Sequence, residues 1–351
     1  ADKEKHAALL RESQSSSEEE ARLATTASAK MYAVVPGKPG ASRLLARGDV
    51  TMPGETVSAE VPGTLERWLG KTRLKPDAAE GERRKALAAW IADRRNPLFA
   101  RVMANRLWHH HFGTGLVDTP SDFGFNGGKP SHPELLDWLA AELMEDWSLK
   151  RLHRLIVTSR AYRQSSAIRK EAMARDADNR LVWRKTPARL EAEGIRDAML
   201  AVSGALDRRM GGKPYLDFKT FFFKGTQFYE PLDQEGPAFR RRSLYRMWAR
   251  GGRSPFLDTF DCPDPSAATP KRQATTTPLQ ALALLNNAQV FDLAAEMAGR
   301  AGTDVGQAWR LAYQRDPTEK ERALAEPFAK RNGMAALCRV LFNSGEFSLG
   351  E

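Results

Sequence analysis

From residue 81 onward, helix start and stop signals recur along this chain, and they leave few folds open to it. Residues 81–96, "GERRKALAAWIADRRN", place Leu87, Trp90 and Ile91 on one helical face, and Pro97 helps to end that helix. Residues 98–113, "LFARVMANRLWHHHFG", continue with Phe99, Val102, Met103 and Leu107 at helical spacing as far as Gly113. Ser131 and Glu134 have the S-x-x-E spacing of a capping box, ahead of Leu135, Leu136, Leu139, Leu143 and Met144. Ser148 stands at the next N-cap, before Leu149, Leu152, Leu155 and Ile156. A further helix is expected over about 187–203. Thr277 and Gln280 form a T-x-x-Q box with Pro278 in the first turn, and Thr318 with Glu321 repeats the device. The expected fold is mainly α.

Two stretches break the helical pattern. Residues 31–63 carry short β-prone runs punctuated by Pro and Gly, which predicts a small strand-and-turn module. Residues 213–262 are aromatic and β-prone ("YLDFKTFFFKGTQFYEP", "RRSLYRMWAR"), which predicts a β-rich insertion among the helices. The opening residues, to about 29, read as a polar helix with no apolar h-region. The expected organisation is a polar helix plus strand module over 1–80, then a helical domain over 81–351.

Charge and cysteine content narrow the function classes. The chain has 351 residues and 54 Lys plus Arg against 44 Asp plus Glu, a net charge of +10. That sign suits polyanionic partners, with anionic polysaccharide ahead of nucleic acid: no zinc-finger, helix-turn-helix or RNA-recognition signature accompanies the densest basic run, Arg240 to Arg253. No run reaches the ~18 apolar residues of a membrane span. The two cysteines, Cys262 and Cys338, belong to no CxxC or CxxCH, so the chain carries no covalent haem site of its own; a disulfide between them is open.

Four of the six histidines fall between residues 109 and 132 along with a Gly/Asp loop, and the run invites a metal reading. Helix geometry argues against it. Consecutive residues turn by ~100°, so His109, His110 and His111 cannot face one ion, and no H-x3-H pair occurs. His132 is assigned to the capping box and His153 to a packing face. His110 remains, next to the loop "DTPSDFGFNGGKP", whose Asp118 and Asp122 can bind a sugar or a cation or else cap turns and tie the loop to Arg106.

A second polar cluster lies in "SPFLDTFDCPDPSAATPKRQATTTPLQ". Asp258, Asp261 and Asp264 precede Arg272 and Gln273. Paired carboxylates tuned by an arginine can act as general acid and base; a buried Asp–Arg network holding an irregular segment is the alternative. A third, "RLEAEGIRDAML", offers Arg189 and Glu193 as a solvated i,i+4 pair, with Glu191, Arg196 and Asp197 alongside.

Long motifs in fixed order carry a resemblance. "NPLFARVMANRLWHHHFGTGLVDTPSDFGFNGGKPSHPELLDWLAAEL", "WSLKRLHRLIVTSRAYRQSS", "NRLVWRKTPARLEAEGIRDAMLAVSG", "FDCPDPSAATPKRQATTTPLQALALLNN" and "LFNSGEF" closely resemble the C-terminal domain of unknown function (the PSD-type domain) of planctomycete cytochrome C domain-containing proteins. "ARGDVTMPGETV" resembles the segment just before it. His109 stands where glutamine is common, and Val50 where proline is.

The resemblance implies a periplasmic or secreted chain, with c-type haem on an upstream domain and a companion domain as partners. It supplies no catalytic residues. The leading expectation is an extracytoplasmic binding or scaffold domain suited to an anionic polysaccharide or a partner domain, with Arg106, Asp118, Asp122 and Gln273 as binding residues. The alternative is a hydrolase or redox-coupled enzyme of polysaccharide breakdown, using His110 with Asp118 and Asp122, or Asp258 and Asp261 with Arg272. Nucleic-acid binding comes third. No metal ligands and no cofactor are assigned to this chain.

Overall fold

A computed structural model of the protein describes residues 34–350, apart from 38–39, 59, 61–62, 71–73, 75–77 and 233–235. The polar helix expected before residue 30 lies outside the described residues. These fall into two units, one ending at Pro97 and the other beginning at Leu98.

The first unit contains the expected strand module. Strand β1 (Arg43–Leu45) pairs antiparallel with β2 (Pro53–Thr56). Asp49 closes the connection by accepting from the backbone N–H and the hydroxyl of Thr51. A short helix α1 (Glu66–Leu69) and the longer α2 (Glu80–Ala92) follow. In α2, Trp90 and Ile91 are half-buried, but Leu87 is 56% exposed, contrary to the expected apolar face. Two short strands and a one-turn helix supply too little apolar surface to cover a thirteen-residue helix.

In the second unit, α3 (Phe99–Phe112), α4 (Pro133–Asp146) and α5 (Leu149–Thr158) close around one core. Ala104, Leu107, Trp108 and Phe112 on α3 meet Leu136, Leu139 and Leu143 on α4, and Leu152 and Ile156 on α5. Each such side chain contributes about 1.5–3 kcal/mol by leaving water. Ser148 caps α5 as expected, accepting from Arg151 N–H.

The capping box expected at Ser131 does not form. Pro133 occupies the first turn of α4, His132 is the N-cap, and the Ser131 hydroxyl bonds His132 Nδ1 at 3.0 Å. Ser131 N–H is taken by the Leu116 carbonyl, which shifts the helix start by one residue.

After α6 (Lys170–Arg175), residues 188–189 form β3 (Ala188–Arg189), paired antiparallel with β6 (Leu349–Gly350) at the C-terminal end. This long-range pairing delays the helix expected from about 187, so that α7 spans Ala192–Ser203. Six helices complete the unit together with a short α8 (Pro255–Thr259): α9 (Pro278–Asn286), α10 (Ala288–Ala301), α11 (Val305–Tyr313), α12 (Glu319–Asn332), α13 (Met334–Phe342) and α14 (Gly345–Ser348). A second core joins Ile195, Met199 and Leu200 of α7 to Val290, Leu293 and Met297 of α10 and to Leu341 and Phe342 of α13. Both halves of the Thr277–Gln280 and Thr318–Glu321 capping boxes are present.

The aromatic insertion contains a hairpin, β4 (Phe218–Phe223) and β5 (Thr226–Pro231). Lys224 and Gly225 both have positive φ, as a two-residue I′ turn requires. The basic run from Arg240 to Arg253, expected to be strand-like, forms no strand: a 3-10 turn at Ser243–Tyr245 is flanked by two isolated parallel bridges, Arg241 to Asp207 and Arg246 to Tyr215. Its arginines bond within the chain: Arg240 to Glu296, Arg241 to the Lys213 carbonyl, Arg246 to Asp217 and Arg253 to Asp258. The Arg246–Asp217 pair, at 2.8 Å, is fully buried. Among the described residues, no helix is long and apolar enough to cross a membrane.

Candidate functional site

The loop after α3 is built by its own sequence. Gly113 ends the helix in the left-handed region (φ 77°) and donates to the His109 carbonyl. Asn105, completely buried on α3, then imitates a backbone strand: its amide donates to the Val117 carbonyl at 2.9 Å and accepts from Val117 N–H at 2.8 Å. Arg180 holds the carbonyls of Gly115 and Leu116.

Further along the loop, Asp122 Oδ1 accepts from Gly124 N–H, and the Thr119 hydroxyl bridges the Asp122 carbonyl and Gly128 N–H. The glycines answer to the aspartates. A Cβ on Gly127 would lie 2.2 Å from the Asp122 carbonyl oxygen, and one on Gly128 would lie 2.0 Å from Asp118 Oδ1.

This folding opens a surface recess of about 400 Å³. Leu98, Val102 and Arg106 line one side, and Pro120 to Gly124 line the other. Arg106 Nη2 donates to Ser121 Oγ at 3.3 Å, so Arg106 and Asp122 share one concavity. Asp118 is exposed and lies outside the lining. Phe125, next to the lining residue Gly124, is fully exposed.

The histidines separate as helix geometry requires. His110 points to solvent. His111 and His153, on α3 and α5, approach with Nε2 and Nδ1 2.8 Å apart, so His153 packs against His111 rather than a purely apolar face. Behind them Lys185, 7% exposed, donates to the His111 carbonyl at 2.6 Å and stands 3.8 Å from the Tyr162 ring centre. Burial lowers the Lys185 amine pKa; burial, then His153, Lys185 and His110, lower that of His111. Among the described residues, no group of three or more His, Cys, Asp or Glu side chains is placed to hold a metal ion.

The second and third sequence clusters merge, with partners different from those expected. Arg272 makes a two-pronged pair with Glu193 (2.6 and 3.1 Å) and also reaches Glu191 at 3.1 Å. Asp258 is held by Arg253 at 2.8 Å. Asp261 accepts from the backbone N–H and hydroxyl of Thr275 and from Gln280 Nε2. Gln273 is exposed. Asp264 caps its own turn by accepting from Ser266.

The solvated Arg189–Glu193 pair is replaced: Arg189 bonds the Thr275 carbonyl and Gln280 Oε1. Buried Gln280 is the hub of this network, which fastens the irregular 261–277 segment to the start of α9. Each of Asp258, Asp261 and Arg272 therefore has its own partner set, which is the geometry of a fastening network more than of an acid–base pair.

Cys262 and Cys338 are free, buried thiols. Burial pushes both up to about 12, reinforced at Cys262 by Glu193, whose Oε1 lies 3.8 Å from the sulfur.

Sequence reading passed over Asn105, Phe125 and Lys185, and named Glu193 only as a partner of Arg189. Only Phe125 carried a local signal: an aromatic ring among Gly and Asn, outside any helical or strand period. The other three are defined by residues 12 to 79 positions away.

A family model described as a protein of unknown function, PSD1 (DUF1553), matches residues 83–329. No curated protein and no solved structure matches the sequence.

Proposed function

The chain belongs to the PSD1 (DUF1553) family, and from that premise and the geometry of its loop we propose that it is a binding domain whose recess takes an anionic oligosaccharide. One observation carries the reading: Arg106 and Asp122 line the same recess, and the fully exposed Phe125 directly follows the lining residue Gly124. The three side chains supply what a charged sugar needs. A guanidinium pairs a uronate carboxylate, a carboxylate accepts from sugar hydroxyls, and an aromatic ring offers its apolar face.

Binding is favoured over hydrolysis because the candidate acid–base carboxylates are already engaged. Asp258 bonds Arg253, and Asp261 bonds Thr275 and Gln280. The net charge of +10 favours the approach of a polyanion. An extracytoplasmic setting, with upstream c-type haem and companion domains as partners, belongs to the same proposal and rests on the sequence resemblance.

Titration calorimetry with an oligogalacturonate tests it. Arg106→Ala and Phe125→Ala are each expected to weaken binding about tenfold or more, equivalent to ~1.4 kcal/mol. His110→Ala leaves it unchanged. Binding that survives both loop substitutions would move the site elsewhere.

A further inference from the structure

The β4–β5 hairpin exposes aromatic rings on both of its faces. Phe221, Phe223 and Phe228 share one face, where Phe221 and Phe228 stack at 5.4 Å across the strands. Phe222, 74% exposed, lies on the opposite face, and Phe223 beside the turn is 58% exposed. The base, by contrast, is anchored. Phe218 is buried against Tyr229, and Gly252 lies so close that a Cβ there would sit 2.9 Å from the Phe218 ring. A ribbon fixed at its base and apolar on both sides of its tip is poorly served by a flat partner surface, which covers one side only. It fits a medium that surrounds it.

We propose that the hairpin tip inserts into the interfacial region of an anionic lipid surface. The two residue pairs nearest the turn, Phe222–Gln227 and Phe223–Thr226, extend about 7 Å. That matches the depth of ~5–10 Å reached by interfacial segments. At this depth headgroups and water can satisfy the open strand edges, which a full span of hydrocarbon would not. Lys219, about 13 Å behind Phe223, falls at headgroup level. Lys224, in the turn, holds its amine 5.4 Å from the Phe223 ring centre. The two lysines outnumber the single acid of the hairpin, Glu230, and so complement negative headgroups.

Co-sedimentation with vesicles of phosphatidylcholine alone, and with one-third phosphatidylserine, tests the proposal. The wild type is expected to bind the phosphatidylserine vesicles, less at 0.5 M salt, and the Phe222→Ser/Phe223→Ser variant at least tenfold less with an unchanged melting temperature. A fluorophore on Phe222→Cys should shift to the blue on those vesicles, the native cysteines being buried. Arg106→Ala leaves vesicle binding intact, which separates this site from the recess. Failure of the wild type to bind, equal binding to both vesicle types, or a tip variant that binds as well as wild type would overturn it. Binding of a soluble polyuronate through the tip without vesicle binding would overturn it too, and would assign the hairpin to polysaccharide.

Discussion

His111 and His153 meet across two helices with their ring nitrogens 2.8 Å apart, so one imidazole donates and the other must present a bare nitrogen. Lys185 places a cation behind them. Double protonation removes the hydrogen bond and sets like charges face to face. The pair therefore favours the neutral form of His111 in the folded protein.

The sign of the pH dependence follows. The folded-state pKa of His111 lies below its ordinary value of 6.5, and that of His109 is lowered as well, mainly by burial. Between the folded value and 6.5, the unfolded chain binds more protons. The stability contribution is complete above about pH 6.5 and is lost as pH falls through the folded value. Thermal melts between pH 7.5 and 5 should show a falling melting temperature, and His111→Gln should flatten that slope. The depressed carboxylates act at lower pH, so this window isolates the histidines. An equally steep slope in the variant would contradict the assignment.

Asn105→Ala removes both bonds to Val117 and leaves a buried N–H and carbonyl unpaired. The expected loss is about 2–4 kcal/mol in urea unfolding. Because the clamp begins the recess loop, oligosaccharide binding should weaken in the same variant.

Gln280→Ala should cost about 3 kcal/mol, because it leaves Arg189 and Asp261 short of a buried partner. Thr277→Ala at the same helix start should cost only ~1 kcal/mol, the usual worth of an N-cap. Equal losses would show that Gln280 acts through the capping box alone.

Both thiols, with pKa values near 12, should be silent toward an aromatic disulfide reagent at pH 8 in the folded protein. Two thiols should titrate in guanidinium without reductant. Fewer than two would mean that Cys262 and Cys338 form a disulfide after all.

The helices were readable because their signals are local: Gly113, Ser148, Thr277 and Thr318 act within a few residues of the ends they define. Features set by distant partners leave no such local signal. Residues 188–189 carry helical periodicity but pair with 349–350, and no local pattern contains that information. Leu87 sits at a core spacing in a unit with little surface to cover it. The recess was legible in its parts, Arg106 and the Gly/Asp loop, because the glycines mark close backbone approach to Asp118 and Asp122. His111 was not preferred over its neighbours because consecutive helical histidines look alike until the helix that packs on one of them is placed. Arg272 likewise shows no sign in sequence that Glu193, rather than the nearby aspartates, is its partner.

The most direct measurement is calorimetry of wild type and Arg106→Ala with an oligogalacturonate at physiological salt. The account predicts a saturable heat for the wild type, weakened at least tenfold in Arg106→Ala while His110→Ala binds normally. A wild type that gives no binding heat, or an Arg106→Ala protein that binds as tightly, would contradict it.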